Sequence, residues 1–154
     1  MSETVPFSKP MTRCARRSFF THRYQRVRLD LDEQNAMQAQ GYRFYLVKKE
    51  QPQQVMGMVA LNGIVWGSFC SCFLGYKLDK DHLRQGLMSE AVQECVRIAF
   101  EELGLHRIEA NIMPRNLPSL RVAEKCGFVR EGISRKYLKN QWGVGGPHPH
   151  GSFE

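Results

Sequence analysis

Apolar residues recur every third or fourth position across Gly86–Leu103. Met88, Ala91, Val92, Cys95, Ala99 and Leu103 fall on one stripe, and Glu90, Glu94 and Arg97 on another. The spacing predicts an amphipathic helix that covers a sheet and is closed by Gly104. Upstream lie three strand-like runs: Phe44–Lys48, Met56–Val65 after the turn-prone Gln51-Pro52-Gln53, and Ser68–Leu78 after Trp66-Gly67. Their short spacing predicts an antiparallel meander. Downstream, His106–Met113 reads as a strand, the region near Pro118–Lys125 as a short helix, and Phe128–Lys139 as another strand. Thr21–Gln40 is polar and helix-compatible, with Tyr24, Val27, Leu31 and Met37 as a sparse apolar face. The order is that of an α/β layer structure with a mixed sheet.

The two ends lack such patterns. Residues 1–20 read as loop. Asn140–Glu154, rich in Gly, Pro and His, carries no strand pattern and reads as a flexible tail, which outweighs metal binding by His148 and His150.

At 154 residues, with 42% apolar and 24% charged positions, the chain is expected to be one ordered domain spanning residues 1–154. No apolar run reaches the roughly 18–20 residues of a membrane span, and the first seventeen residues lack a signal-type apolar core. A cytoplasmic protein is expected. Five cysteines (Cys14, Cys70, Cys72, Cys95, Cys126) show no framework spacing. Cys70 and Cys72 would share one strand face, as core-packing thiols rather than half a metal site, and no metal is expected. The formal charge of +7 is concentrated at Arg13, Arg16, Arg17, His22, Arg23, Arg26 and Arg28. Such a surface attracts RNA, a ribosome or an acidic substrate. Without interleaved aromatics, direct nucleic-acid recognition is not expected.

Two segments carry chemistry. Asp79–Ala91, DKDHLRQGLMSEA, runs from a strand through a loop into the long helix, whose opening N–H groups and positive dipole end suit a phosphate-bearing ligand. Leu105–Gly132, LHRIEANIMPRNLPSLRVAEKCGFVREG, follows a strand with a Pro-Arg-Asn turn, a short helix and a Cys-Gly-Phe junction. Together they resemble the GNAT acyl-CoA N-acyltransferases, within them the ribosomal-protein-alanine N-acetyltransferase type, over roughly Phe44–Lys139. The resemblance implies a mixed, mostly antiparallel central sheet flanked by helices and splayed at an acetyl-CoA site.

It also implies roles for residues. The backbone of Arg84, Gln85, Gly86, Leu87, Met88 and Ser89 would hold the CoA pyrophosphate, with Gly86 at the final small position of the family's loop pattern. Arg84 stands where that pattern has its first glycine, and Asp81 where it has Gln or Arg; an arginine takes positive φ only at a cost. Asn116 would hydrogen-bond the pantetheine arm, or cap the following helix, or both. Ser119 would protonate the departing thiolate, the alternative again being a helix cap; the tyrosine that other members place one turn later is Ala123 here. A backbone N–H near the end of strand Gly75–Leu78, at Leu78, would polarise the thioester carbonyl. Glu109 is the carboxylate within the central strand motif and shares a face with Arg107 and Asn111. It would act as general base, or pair with the arginine; Asn111 is counted among the acetyl-CoA contacts. An α-amine with its pKa near 8 needs little help to lose a proton.

The implied reaction is acetyl transfer from acetyl-CoA to an amine, foremost the N-terminal α-amine of a ribosomal protein. A small amine or polyamine acceptor, and an inactive acetyl-CoA-binding remnant, remain alternatives. Two family elements, an arginine-rich opening and a last apolar strand, find no match, so a chain shortened or altered at both ends is expected. Segment swapping in a homo-oligomer would be one consequence.

Overall fold

The computed structural model describes residues 22–135, 137 and 149–153, with the backbone alone for 22–25 and 149–153. In chain order the elements are α1 (His22–Met37), β1 (Tyr42–Lys48), β2 (Gln51–Val65), β3 (Ser71–Leu78), α2 (Leu87–Arg97), β4 (Arg107–Ile112), α3 (Leu117–Lys125), β5 (Arg130–Arg135) and β6 (Pro149–Phe153). The strands form one sheet in the order β1-β2-β3-β4-β6-β5. Every neighbouring pair is antiparallel except β3 and β4. The mixed, mostly antiparallel sheet flanked by helices is therefore observed.

Strict alternation builds the core. Ile108, Ala110 and Ile112 of β4 are buried, and with Val59, Leu61, Cys72 and Leu74 they pack against Met88, Val92 and Cys95 of α2 and Ala123 of α3. Burial pushes the Cys72 and Cys95 thiols up to about 12, consistent with packing rather than reactivity. α2 runs on through a π-helical turn, Ile98–Glu102, to Gly104 at φ +68°, where the apolar stripe predicted an end.

Four expectations need correction. The β1–β2 reversal is at Lys49-Glu50, because Lys48 pairs with Gln51. Gln51-Pro52-Gln53 lies inside β2, beside register shifts in β1 that accommodate a residue without an N–H. Cys70 precedes β3 at φ +43° and takes the His106 and Arg107 N–H groups on its carbonyl, so it does not share a strand face with Cys72. The apolar positions of α1 are not its packing face: Val27, Leu31 and Met37 are 51%, 47% and 77% exposed. What ties α1 to β1 is polar, Asp32 lying 2.7 Å from Arg43 and accepting the Tyr45 hydroxyl.

The fourth correction is the largest. Part of the tail expected to be strandless forms β6, between β4 and β5, with Ile112 opposite Gly151 and Arg135 opposite Pro149. A strand flanked on both sides is held by its backbone bonds and needs no apolar alternation. Pro149 occupies its first position, where a missing N–H is tolerated. His150 stands opposite Ser134; residues 1–20, with Arg13, Arg16 and Arg17, and His148 lie outside the described residues.

The sheet also opens. β3 and β4 pair only through Ser71↔Arg107, Cys72↔Ile108 and Phe73↔Glu109. Beyond that, Leu74–Leu78 pairs with β2 and Ala110–Ile112 with β6, so the two strands diverge between the helices that follow them.

Candidate active site

The loop after β3 is anchored before it becomes exposed. The Asp79 N–H donates to the Met56 carbonyl at 2.7 Å, and the His82 N–H to the Asp79 carbonyl at 3.1 Å. Both residues are buried, with His82 Nδ1 3.5 Å from Asp79 Oδ2. Arg84, Gln85 and Gly86 then face solvent. Arg84 takes φ +63°, the conformation its side chain makes expensive at about 1–2 kcal/mol. The loop thus keeps a glycine-like geometry with an arginine in it. Gly86 caps α2 at φ +79°, and a Cβ there would meet nothing within 4 Å.

That cap leaves donors free. The first bond of the helix ladder is Glu90 N–H to Gly86 C=O, 3.1 Å, so the Leu87, Met88 and Ser89 amides lie ahead of it. Among the described residues, no side chain caps them. The Met88 and Ser89 side chains are buried, and the Ser89 carbonyl takes the Cys126 thiol at 3.4 Å, so this start offers backbone only. With the dipole's positive end added, it can hold an anion.

The start of α3 is built differently. Asn116 Oδ1 accepts the Ser119 N–H at 3.3 Å, so the capping alternative is realised. Its Nδ2 and the Ser119 hydroxyl have no partner among the described residues. From across the opening, the Tyr76 hydroxyl of β3 donates to the Ser119 carbonyl at 2.7 Å. Burial pushes the Tyr76 phenol up to about 12, against the lowering effect of that bond.

On the reverse face of β4, Arg107 donates to Glu109 at 3.1 Å and to both oxygens of Glu131 at 3.2 Å. The arginine pairing offered as the alternative for Glu109 is thus present. Asn111 Nδ2 donates to the Tyr137 hydroxyl at 2.9 Å. Glu109, Asn111, Glu131, Ile133, Ser134 and Tyr137 border a hollow of about 360 Å³. A second hollow of about 350 Å³, lined by Asp32, Asn35, Arg43 and Asn62 among others, lies by the stretch of β2 that pairs with the beginning of β3, away from the opening.

The structure groups these residues into two sets. Arg84–Ser89, Leu78, Asn116 and Ser119 belong to the opening and its two helix starts. Glu109 and Asn111 point to the other face of β4, since Ala110 and Ile112 between and beyond them face α2 and α3. Leu78 ends β3 opposite Gly57, where a Cβ would sit 2.7 Å from the Lys77 carbonyl. Lys77 is held below the usual lysine range by burial, then by Arg43 and Arg28. Glu131 and Tyr137 were missed in the sequence; the signal that could have found them is the even spacing of 131, 133 and 137 along one predicted strand, which puts all three on one face.

Comparison with known proteins adds the family. The acetyltransferase (GNAT) domain family matches residues 3–129. The probable N-acetyltransferase YjcK of Bacillus subtilis is 40% identical over 138 residues, which cover 90% of this chain and 76% of that protein. The [ribosomal protein uS5]-alanine N-acetyltransferase of Escherichia coli is 33% identical over 111 residues, 70% of this chain and 57% of that protein, so the match spans little more than half its length. Among solved structures, the ribosomal-protein-S5-alanine acetyltransferase of Vibrio fischeri superposes with a TM-score of 0.82 at 28% identity, over 97% of this chain and 84% of that one. With the diverging β3 and β4 strands flanked by the two helix starts, these matches establish that the chain belongs to the GNAT family of acetyltransferases, enzymes that use acetyl-CoA.

Proposed function

We propose that this acetyltransferase acts on the N-terminal α-amine of a protein, foremost a ribosomal protein beginning with Ala or Ser, in the cytoplasm. The observation that carries the donor side is the opening between β3 and β4 with a helix start on each flank. Its features fit acetyl-CoA: unladdered amides at Leu87–Ser89, open space over Gly86, and an Asn116 N–H₂ without a partner among the described residues. Acetyl-CoA supplies a thioester from which an amine takes the acetyl group, an N–C bond forming as the C–S bond breaks.

The chain's own residues divide that work. The Arg84–Ser89 backbone binds the diphosphate, and Asn116 Nδ2 orients the pantetheine arm. A backbone N–H near Leu78 polarises the carbonyl oxygen as charge grows there. The amine gives up one proton and the thiolate takes one; the Ser119 hydroxyl relays the latter, giving its proton to the sulfur as it takes one from water. Glu109, in the hollow behind β4, accepts the first through water, with Arg107 fixing the carboxylate's position. Asn111, which the resemblance counted among the acetyl-CoA contacts, is tied to Tyr137 at the hollow behind β4 and shapes the acceptor side instead.

The acceptor rests on likeness to the two ribosomal-protein enzymes. Charge does not add to it, since a chain of net charge +7 gains nothing from long-range attraction to a basic protein. One observation favours a second reading: Glu109 and Glu131 bring two carboxylates to a hollow, and Arg107, which pairs with both, offsets only one of their charges, leaving a net negative lining for a cationic amine. The test is thiol release from acetyl-CoA with Ala- and Ser-starting peptides beside polyamines and aminoglycosides at matched concentration. Preference for a peptide supports the proposal. Preference for any small amine overturns the protein acceptor, and no turnover with any of them supports a binding remnant.

A further inference from the structure

The two halves of the chemistry proposed above sit on separate elements. The carbonyl-polarising amide belongs to β3, and the thiolate acid, Ser119, to the first turn of α3. Sheet pairing holds β3 to β4 only as far as Phe73↔Glu109, so the backbone ladder does not fix the distance between Leu78 and Ser119. α3 packs on β4 and α2 through small apolar contacts such as Ala123. Packing of that kind limits approach but leaves sliding soft; a directed hydrogen bond does not.

One such bond crosses the opening. The Tyr76 hydroxyl, two residues before Leu78, donates to the Ser119 backbone carbonyl at 2.7 Å, linking positions 43 residues apart in the chain. Its length is the usual one for a well-formed O–H···O bond, and its donor is half-buried beside the core. The acceptor is a first-turn carbonyl of α3, so the bond acts on the backbone that carries the Ser119 side chain.

We infer that Tyr76 is a positioning residue for acetyl transfer: its hydroxyl latches the first turn of α3 to β3, setting Ser119 against the thioester held by the β3 backbone. The inference rests on the proposed acid role of Ser119. The latch acts on a backbone atom, so it persists when Ser119 is changed to alanine. That allows the two ideas to be separated.

The experiment is a double-mutant cycle with Tyr76→Phe and Ser119→Ala, measuring kcat, KM for acetyl-CoA and Tm for all four proteins with the best acceptor from the panel. Tyr76→Phe keeps the ring and removes only the donor. The expected result is a kcat about tenfold lower for Tyr76→Phe, with KM for acetyl-CoA within twofold of wild type. In the Ser119→Ala background, Tyr76→Phe is expected to lower kcat no further. A lowered Tm with wild-type kcat would make the bond structural and overturn the latch. An equal fold loss from Tyr76→Phe in both backgrounds would overturn it too, leaving the acid role of Ser119 standing. Wild-type kcat for Ser119→Ala would remove the acid role itself, and the latch with it.

Discussion

Helices α2 and α3 both begin at the open edge of the sheet, and they begin in opposite ways. α2 starts on a left-handed glycine with no side-chain cap, and three amides precede its ladder. α3 starts on Asn116, whose oxygen takes the Ser119 N–H, while Pro118 in the first turn has no N–H to satisfy. One start is a donor surface made of backbone. The other keeps only the Leu117 N–H ahead of its ladder uncapped among the described residues and presents side chains, a carboxamide N–H₂ and a hydroxyl. A ligand with a diphosphate at one end and a thioester at the other meets both. The lesson is that the nature of the cap decides what a helix start can bind.

The strongest way to break this comparison is Gly86→Asp. A Cβ at Gly86 meets nothing within 4 Å among the described residues, and aspartate tolerates positive φ better than most residues, so the variant should fold. Its carboxylate would project into the space left for the diphosphate, with like charge. Calorimetry should show acetyl-CoA affinity reduced at least about 100-fold, a few kcal/mol. Unchanged affinity in a folded Gly86→Asp protein would mean that the α2 start is not the anion site.

Next in size is removal of residues 149–154. β6 is the element that joins β4 to β5, and net backbone bonds contribute about 1 kcal/mol each. Urea denaturation should show a loss of several kcal/mol. Because α3 rests on β4, its start should suffer before that of α2, seen as faster amide exchange at Ser119 than at Glu90. Equal exchange at both would show that the two starts share one scaffold.

The parts legible in the sequence are those whose stability comes from apolar alternation or from a local cap. The β1–β3 meander, the stripe of α2, β4, α3 and Gly104 are of that kind. β6 was not legible, because PHGSF is placed by two neighbouring backbones rather than by side-chain pattern. α1 misled because Asp32 and Arg43, not its apolar residues, tie it down. At the site, the loop before α2 and the Asn116 cap were legible as local motifs. The Arg107–Glu109 pair was legible from its two-residue spacing, whereas the Tyr76–Ser119 bond and the reach of Arg107 to Glu131 join residues distant in the chain, and no spacing announces them.

Asn116 allows the comparison to be sharpened within one residue. Asn116→Ala should cost about 1 kcal/mol of stability through the lost cap and about 1–3 kcal/mol of acetyl-CoA affinity. Asn116→Asp keeps the capping oxygen and discards the N–H₂, so stability should return while affinity does not. Recovery of both would assign Asn116 to the cap alone.

Alkali should act on the α3 side in a way it does not on the α2 loop. Tyr76 ionises near 12 when folded and near 10 when unfolded. Between those values the folded chain holds a proton that the unfolded chain has lost, so stability falls as pH rises through the window and is fully present below 10. The loss attributable to Tyr76 is at most about 1.4 kcal/mol at pH 11. Cys72 and Cys95 titrate over an overlapping range, so the quantity to measure is the difference between wild type and Tyr76→Phe in urea at pH 8 and pH 11. A constant difference would show that the phenol does not hold its proton against α3.

The smallest effect is expected at Arg84. Relieving φ +63° by Arg84→Gly gains about 1 kcal/mol, and the added freedom of glycine in the unfolded chain removes about 0.5–1 kcal/mol, so stability should stay within about 0.5 kcal/mol of wild type. Binding separates two roles for the side chain. Arg84 is exposed at the mouth of the α2 start, where a guanidinium adds charge to what the amides provide. On that account Arg84→Gly should weaken acetyl-CoA binding a few-fold at low salt, and the difference should vanish near 1 M salt, where the screening length is about 3 Å. Unchanged or tighter binding at low salt would mean that the amides act alone and that the arginine is merely tolerated. The contrast with α3 would then be complete, with backbone recognition at one helix start and side-chain recognition at the other.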